Sequence, residues 1–424
     1  MSSMRRSRSS GRHGAVRLFV MGERGARREP ATADDIAAMG RIVCDGVAAG
    51  ALGFTTSRTT NHRTSRGEPT PTLTAAGDEL IGIATVMAEA GGVIEVVSDF
   101  RDLDTEFGIM RGMVEASGRP MSISVAVEEH RASWGSLRDR IVAAADDGLP
   151  IKGQVAARAI GLVLGLQATV NPFIGCASYR EIAREPLDVR VRALRDPAFR
   201  ERLLTEMRER GGAFATDFER IFELGDPPDY EPDASKSVAA RAAREGRDPA
   251  ELVLDLLVAD DGKGFLYFPL FNWVNGSLDA IGTMLADEHL LPGLADGGAH
   301  AGTICDASFP TTLLTHWARD RAEGLPLEWV VRRQCRDTAA AVGLTDRGVL
   351  APGYKGDVVV VDHERLRLHP PYMAFDLPAG GKRLLQRADG YLHTFVAGEE
   401  TYVDGEVTAA RPGRLVRGPQ AGPG

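Results

Sequence analysis

Between residues 51 and 156 the chain repeats one pattern, a short apolar run followed by an amphipathic segment of helical period. The apolar runs lie at 51–56, 93–97, 121–127 and 151–156, and helices are predicted over 78–89, 104–116 and 134–145. A strand-plus-helix unit of roughly 30 residues, repeated in this way, leaves few folds open. Consecutive strands lie parallel, with the helices packed outside them. A (β/α)8 barrel and a doubly wound sheet both satisfy that condition. No GxGxxG follows the first strands and no GxxxxGK[ST] occurs, so nucleotide-binding readings lose support.

Upstream, Thr32 with Asp34 and Asp35 reads as an N-cap with acids in the first turn. Ile36, Met39, Ile42, Val43 and Val47 follow at helical spacing, and Gly50 ends the helix. Residues 16–21 read as a further buried strand, and the basic, serine-rich residues 1–13 as a disordered tail.

The rhythm breaks over 172–261, where charged helical segments, one of them at 218–224, are joined by turns such as Asp226-Pro227-Pro228-Asp229. This reads as a helical insertion on the substrate side of the barrel, acting as a lid. The rhythm resumes with a strand at 264–268 and a helix at 278–287. An apolar run at 290–295 then ends on Asp296, followed by Gly297 and Gly298. A strand that delivers a carboxylate to a glycine-rich turn is a common way to place a catalytic group, although Asp-Gly is also ordinary turn chemistry. Helices follow from Ser308, with Leu313, Leu314, Trp317 and Ala318 on one face, and over 327–342. From 348 to 415 the pattern is that of a small β module, with hairpin signals at Gly398-Glu399 and Asp404-Gly405 and a tail at 416–424. The partial barrel spans 14–347.

A net charge of −9 disfavours general nucleic-acid binding. Five lysines stand against forty-five arginines, spread along helices beside Asp and Glu, which reads as compositional bias. The four cysteines lie far apart without a CxxC pair, so neither a disulfide framework nor a zinc knuckle follows, and a cytoplasmic location is expected. No apolar run is long enough to span a bilayer, so no membrane partner is expected.

Four passages together resemble the amidohydrolase superfamily, in its N-acyl-D-amino-acid deacylase (D-aminoacylase-like) branch. They are GALGFTTSR at 50–58, DGGAHAGTICDASFPTTLLTHW at 296–317, GVLAPGYKGDVVVVD at 348–362 and VAGEETYVDGE at 396–406. The resemblance implies a metal-dependent (β/α)8 barrel with a C-terminal β-sandwich module that hydrolyses an amide of a small-molecule substrate. It implies zinc or another divalent metal, which lowers the pKa of bound water and polarises the carbonyl. Asp296 matches the family aspartate that moves the proton from that water to the leaving amine. Arg58, His62, Arg158 and His300 are the expected substrate-binding residues. A cyclic amide, as in hydantoinase- and dihydroorotase-like relatives, is the alternative substrate.

The departures are equally definite. The nine histidines form no HxH pair, and the middle strands, where relatives carry ligand histidines, lead into Ser98-Asp99 and the 122–127 run. Asp99 is the one candidate for an unusual metal ligand. The family's first barrel strands and the N-terminal half of its sandwich find no match. The expectation is a chain that starts inside its barrel, about 150 residues short of a barrel plus sandwich. A catalytically silent barrel is the rival. An open sheet edge would favour association with a second copy. Asp306 reads as the cap of the following helix, and Cys305 has no paired base that would make it a nucleophile.

Overall fold

The computed structural model describes residues 11–64, 66–127, 134–210, 216–293, 295 and 300–423. Six parallel strands stand side by side in chain order: β1 (Gly11–Arg12), β2 (Gly53–Arg58), β3 (Val93–Ser98), β4 (Met121–Ser124), β5 (Ile151–Val155) and, after a long excursion, β9 (Leu290–Pro292). Parallel neighbours need a crossover, and helices supply it. These are α1 (His13–Met21), the single turn α2 (Glu23–Ala26), α3 (Ala33–Ala48), α4 (Gly77–Ala90), α5 (Leu103–Ser117) and α6 (Trp134–Asp146). This is the parallel α/β arrangement that the alternation predicts. Among the described residues its sheet is open, with β1 and Leu290–Pro292 as the edges.

The strands have two different faces. Phe54, Ile94, Val96, Met121, Ile123, Ile151 and Val155 are buried and join Met39, Leu80, Ile83, Met110 and Ile141 from the helices in one core. On the opposite face Thr55 lies beside Glu95, Glu95 beside Ser122 and Ser122 beside Lys152. Barrel interiors are usually filled by Val, Ile and Leu. Here the inner face is polar, and Gln154 Nε2 donates to Ser122 Oγ at 2.6 Å.

The N-terminal stretch corrects two expectations. Residues 16–21 are not a strand but the body of α1. Its buried residues His13, Val16, Arg17 and Met21 follow helical spacing, while Leu18 and Phe19 face outward. Six residues, five of them apolar, are too few for either period to decide. Nor does a loose tail reach residue 13. Gly11 and Arg12 pair with Phe54 and Thr55, and His13 is fully buried. His13 lies 2.9 Å from Thr56 Oγ1 and 2.8 Å from Glu79 Oε1. Arg17 Nε donates to the same Glu79 oxygen at 2.8 Å, and its other nitrogens bond the Gly25, Glu29 and Pro71 carbonyls. The predicted cap of α3 is present as a full capping box between Thr32 and Asp35.

The excursion between β5 and Leu290–Pro292 starts earlier and ends later than 172–261. Strand β6 (Ile160–Gly165) pairs antiparallel with β8 (Phe265–Phe271), and β7 (Phe222–Glu223) lies on the other side of β8. The predicted barrel strand at 264–268 therefore belongs to the insertion, and 218–224 contains β7 where a helix is expected. Leu162, Leu164, Phe173, Leu203, Leu254 and Leu266 give this unit a core of its own.

The C-terminal module is antiparallel. Strand β10 (Val358–Val361) pairs with Tyr391–Val396, then Glu399–Val403, then Glu406–Val407. Its two tight turns hold Ala397-Gly398 and Asp404-Gly405 at positive φ, as hairpins of this kind require. The chain end is also no free tail. Gln420 N donates to Gly343 O, and Gln420 O accepts from Thr345 N.

Glu79 carries the charge that His13 and Arg17 need. Burial works against that charge, but His13 and Arg17 outweigh it and hold the carboxyl below its usual range. Its contribution is therefore complete above the unfolded carboxylate pKa and is lost as pH falls through the lower folded value. Glu79→Ala is expected to cost about 3–5 kcal/mol at neutral pH, because it leaves a buried guanidinium unpaired. Urea unfolding at neutral and acidic pH measures both effects.

Candidate active site

Parallel β/α folds place their chemistry at the C-terminal ends of the strands. Here those ends carry Ser57 and Arg58 at the close of β2, Ser98 at the close of β3 with Asp99 next to it, Arg158 three residues beyond β5, and the segment after Leu290–Pro292. Asp296 falls in that last segment and lies outside the described residues.

Arg58 is already occupied. Its Nε and Nη2 both donate to the Glu106 carboxylate at 2.7 Å, and Nη1 donates to the Ala75 carbonyl at 2.5 Å. Ser98 Oγ adds a third bond to Glu106. The bidentate partner expected from a substrate is thus supplied by α5, three residues into the helix that follows β3. An acid in a first turn is so common that sequence alone does not single out Glu106.

Asp99 is turned to loop architecture. It accepts from Thr59 Oγ1 at 2.5 Å, Thr60 N at 3.0 Å and Thr60 Oγ1 at 2.8 Å. Burial raises its pKa, but these bonds and the nearby Arg101 charge hold it below the usual carboxylate range. Among the described residues no group of three His, Cys, Asp or Glu side chains stands close enough to hold a metal ion. The described donor set therefore does not fit the divalent centre implied by the family resemblance.

His62 is exposed at the same strand end, with Nδ1 2.7 Å from Ser57 Oγ. His300 is also exposed and sits in a left-handed backbone conformation, φ 48°. Its carbonyl accepts from Thr303 N and Ile304 N, which tightens the turn leading to Cys305.

Arg158 is 1% exposed. Nη1 donates to Ser308 Oγ and Thr312 Oγ1, and Nη2 to the Cys305 carbonyl at 2.7 Å and to Asp306 Oδ1 at 3.4 Å. The guanidinium stacks 3.6 Å from the Tyr230 ring centroid. Asp306 is thus a buried partner of Arg158; its backbone carbonyl accepts from Phe309 N, and the N-cap position of the following helix is taken by Ser308. Burial pushes the Cys305 thiol up to about 11, which removes it as a nucleophile.

Arg158 and Tyr230 border a cleft of about 170 Å³ formed with Pro227, Thr315, His316 and Leu368. It joins the insertion, the helical segment after residue 308 and the C-terminal module. Beside it His316 Nε2 lies 2.8 Å from Glu231 Oε2, and Glu231 also accepts from Arg321 and Leu278 N. Burial opposes the Glu231 charge, but His316, Arg321 and the Leu278 amide pull its pKa down to about 2. Of the predicted residues, Arg58, His62 and Asp99 share neighbouring strand ends, whereas Arg158 is drawn away into the packing between units.

The sequence profile of the amidohydrolase family matches residues 8–409. The chain belongs to the amidohydrolase family. Solved structures of D-aminoacylase share its fold. One, the structure reported to define a novel subset of amidohydrolases, has a TM-score of 0.53 at 18% identity, over 96% of this chain and 70% of that one. A D-aminoacylase mutant in complex with 100 mM CuCl2 matches with a TM-score of 0.53 at 18% identity, over 97% and 70%. A third, from work on the binuclear metal center of D-aminoacylase, matches at 0.52 and 17%, over 96% and 70%. No curated protein matches the chain. No helix among the described residues of this amidohydrolase-family chain is long and apolar enough to cross a membrane.

Two measurements test these networks. Arg158→Met is expected to lower stability by about 3 kcal/mol by removing the buried cation beside Asp306, and Arg158→Met with Asp306→Leu to recover part of that loss. Chemical denaturation of the single and double variants reads both. Glu231 adds stability above about 4.5 that is lost as pH falls towards about 2. Glu231→Gln is expected to flatten that part of the acid unfolding curve.

Proposed function

We propose that this chain is an amidohydrolase-family hydrolase acting on a carbon–nitrogen amide bond, with N-acyl-D-amino acids as its substrates. The observation that carries the reading is the family match over residues 8–409, together with a D-aminoacylase-like fold whose last parallel strand leads directly towards Asp296. In this reading Asp296 accepts a proton from the attacking water and returns it to the leaving amine. A carboxylate within hydrogen-bond reach suits that shuttle. His62 and His300, both exposed at strand-following loops, stand where the substrate would enter. A bound divalent ion, zinc or another, would polarise the scissile carbonyl. The described donors do not form a site for it.

A second reading has its own support. Arg58 and Asp99 are engaged within the protein, and the described residues hold no metal-ligand group. A barrel that binds a small molecule without turning it over fits those facts.

The purified chain, supplied with Zn2+, is to be assayed against a panel of N-acyl-D-amino acids and cyclic amides, with metal content measured in parallel. The expected outcome is release of free D-amino acid, lowered about 100-fold or more in kcat by Asp296→Asn. Hydrolysis of cyclic amides alone would move the substrate class. Failure on every substrate, with substoichiometric metal, would sink the hydrolase reading and leave the silent barrel.

A further inference from the structure

We propose that Ser57 and His62 form a nucleophile–base dyad that takes up an acyl group from short-chain esters by metal-independent chemistry. Ser57 Oγ and His62 Nδ1 are 2.7 Å apart, within the range required of a serine and the base that activates it. The pair stands at the C-terminal end of β2, where folds of this class place reacting groups.

Strand alternation puts Ser57 on the same face as Thr55, the polar inner face, opposite Phe54 and Thr56, which are buried under the helices. Val97 lies beside Ser57 on the neighbouring strand. The serine backbone is pinned twice, by the ladder with β3 and by Thr72 Oγ1, which donates to the Ser57 carbonyl at 2.6 Å. His62 is exposed, so an incoming acyl carbonyl meets the pair from solvent.

The loop that carries His62 is held in place from its other end. Asp99 accepts three bonds from Thr59 and Thr60, and Asn61 N donates to Thr59 Oγ1 at 3.1 Å. Asp99 thus acts as a positioning residue. It fixes residues 59–61 on β3 and delivers the imidazole to the serine already oriented. Prior orientation of this kind lowers the entropic part of a barrier.

The chemistry balances without a further reactant. His62 in its Nε2–H tautomer takes the Ser57 proton at Nδ1 while Oγ attacks the acyl carbon. The tetrahedral adduct collapses, the C–O bond to the alcohol breaks, and the alcohol leaves with the proton from His62. Water then attacks the acyl-serine with His62 again as base, releasing the acid and restoring Ser57.

This inference goes beyond amide hydrolysis and stands apart from it experimentally. Ser57 acylation is measured in EDTA, whereas N-acyl-D-amino-acid hydrolysis is measured with zinc, so either can fail alone. The full chain is treated with EDTA and mixed with p-nitrophenyl acetate. A burst of one equivalent of p-nitrophenolate is expected, with one acetyl group on the peptide bearing Ser57. Ser57→Ala should abolish both. His62→Gln, an exposed substitution expected to leave the circular dichroism spectrum unchanged, should slow the burst about 100-fold. Asp99→Asn should slow it less. Absence of a burst in the folded protein overturns the proposal. So does acetyl found on another residue, or a His62→Gln burst as fast as that of the native chain.

Discussion

The buried guanidinium of Arg158 is the interaction through which the separate parts of this fold are tied together. A fully buried cation is costly unless its donors are satisfied and an anion stands close. The required partners come from across the chain. Cys305, Asp306, Ser308 and Thr312 lie after the last parallel strand, and Tyr230 comes from the insertion. Gln386 of the C-terminal region donates to Tyr230 Oη and accepts from Ser308 Oγ, so the third unit is bound into the same cluster. Moving any one of the three units would strand part of this set. The barrel, the insertion with its own core and the β module therefore share one polar joint as well as apolar contact.

The same economy of charge appears elsewhere. Arginines dominate the basic residues, and the buried ones each reach several acceptors. Arg17 meets Glu79 and three carbonyls, Arg58 meets Glu106 and Ala75, and Arg333 meets Asp337 and the carbonyls of residues 287, 288 and 290. A planar fork with five donors suits positions that must tie several backbone segments at once, which a lysine does not match. The composition of the chain thus has a structural consequence, namely that strand ends and loop crossings are closed by arginine. It also explains why strand-end arginines are poor guides to a binding site in this protein.

Much of the architecture was legible beforehand. Helices α3 to α6 and strands β2 to β5 fall within a few residues of their predicted places, because each has a clear period and, in α3, a cap. The hairpins of the C-terminal module were legible from Gly398 and Asp404-Gly405. The failures share a cause. Residues 16–21, 218–224 and 264–268 are short runs in which apolar content carries no decisive period, and their state is set by partners far along the chain. His13 is the clearest case, since nothing local marks a histidine in a basic, serine-rich leader as a core residue. Its partners Thr56 and Glu79 lie dozens of residues away. The site was read at the level of strand ends but not of pairings, as Glu106 and Asp306, the partners that occupy Arg58 and Arg158, show.

The sequence by itself determined the fold class, the parallel order of the strands and the family, because alternation period, turn chemistry and recurring motifs are local properties that survive without a partner. Only the tertiary structure decided which charged residues remain available for chemistry. A guanidinium or carboxylate exposes or spends its hydrogen bonds according to what long-range packing brings beside it. That packing engages Arg58, Asp99 and Arg158 within the fold itself, and sets Ser57 Oγ 2.7 Å from His62 Nδ1 at the end of β2.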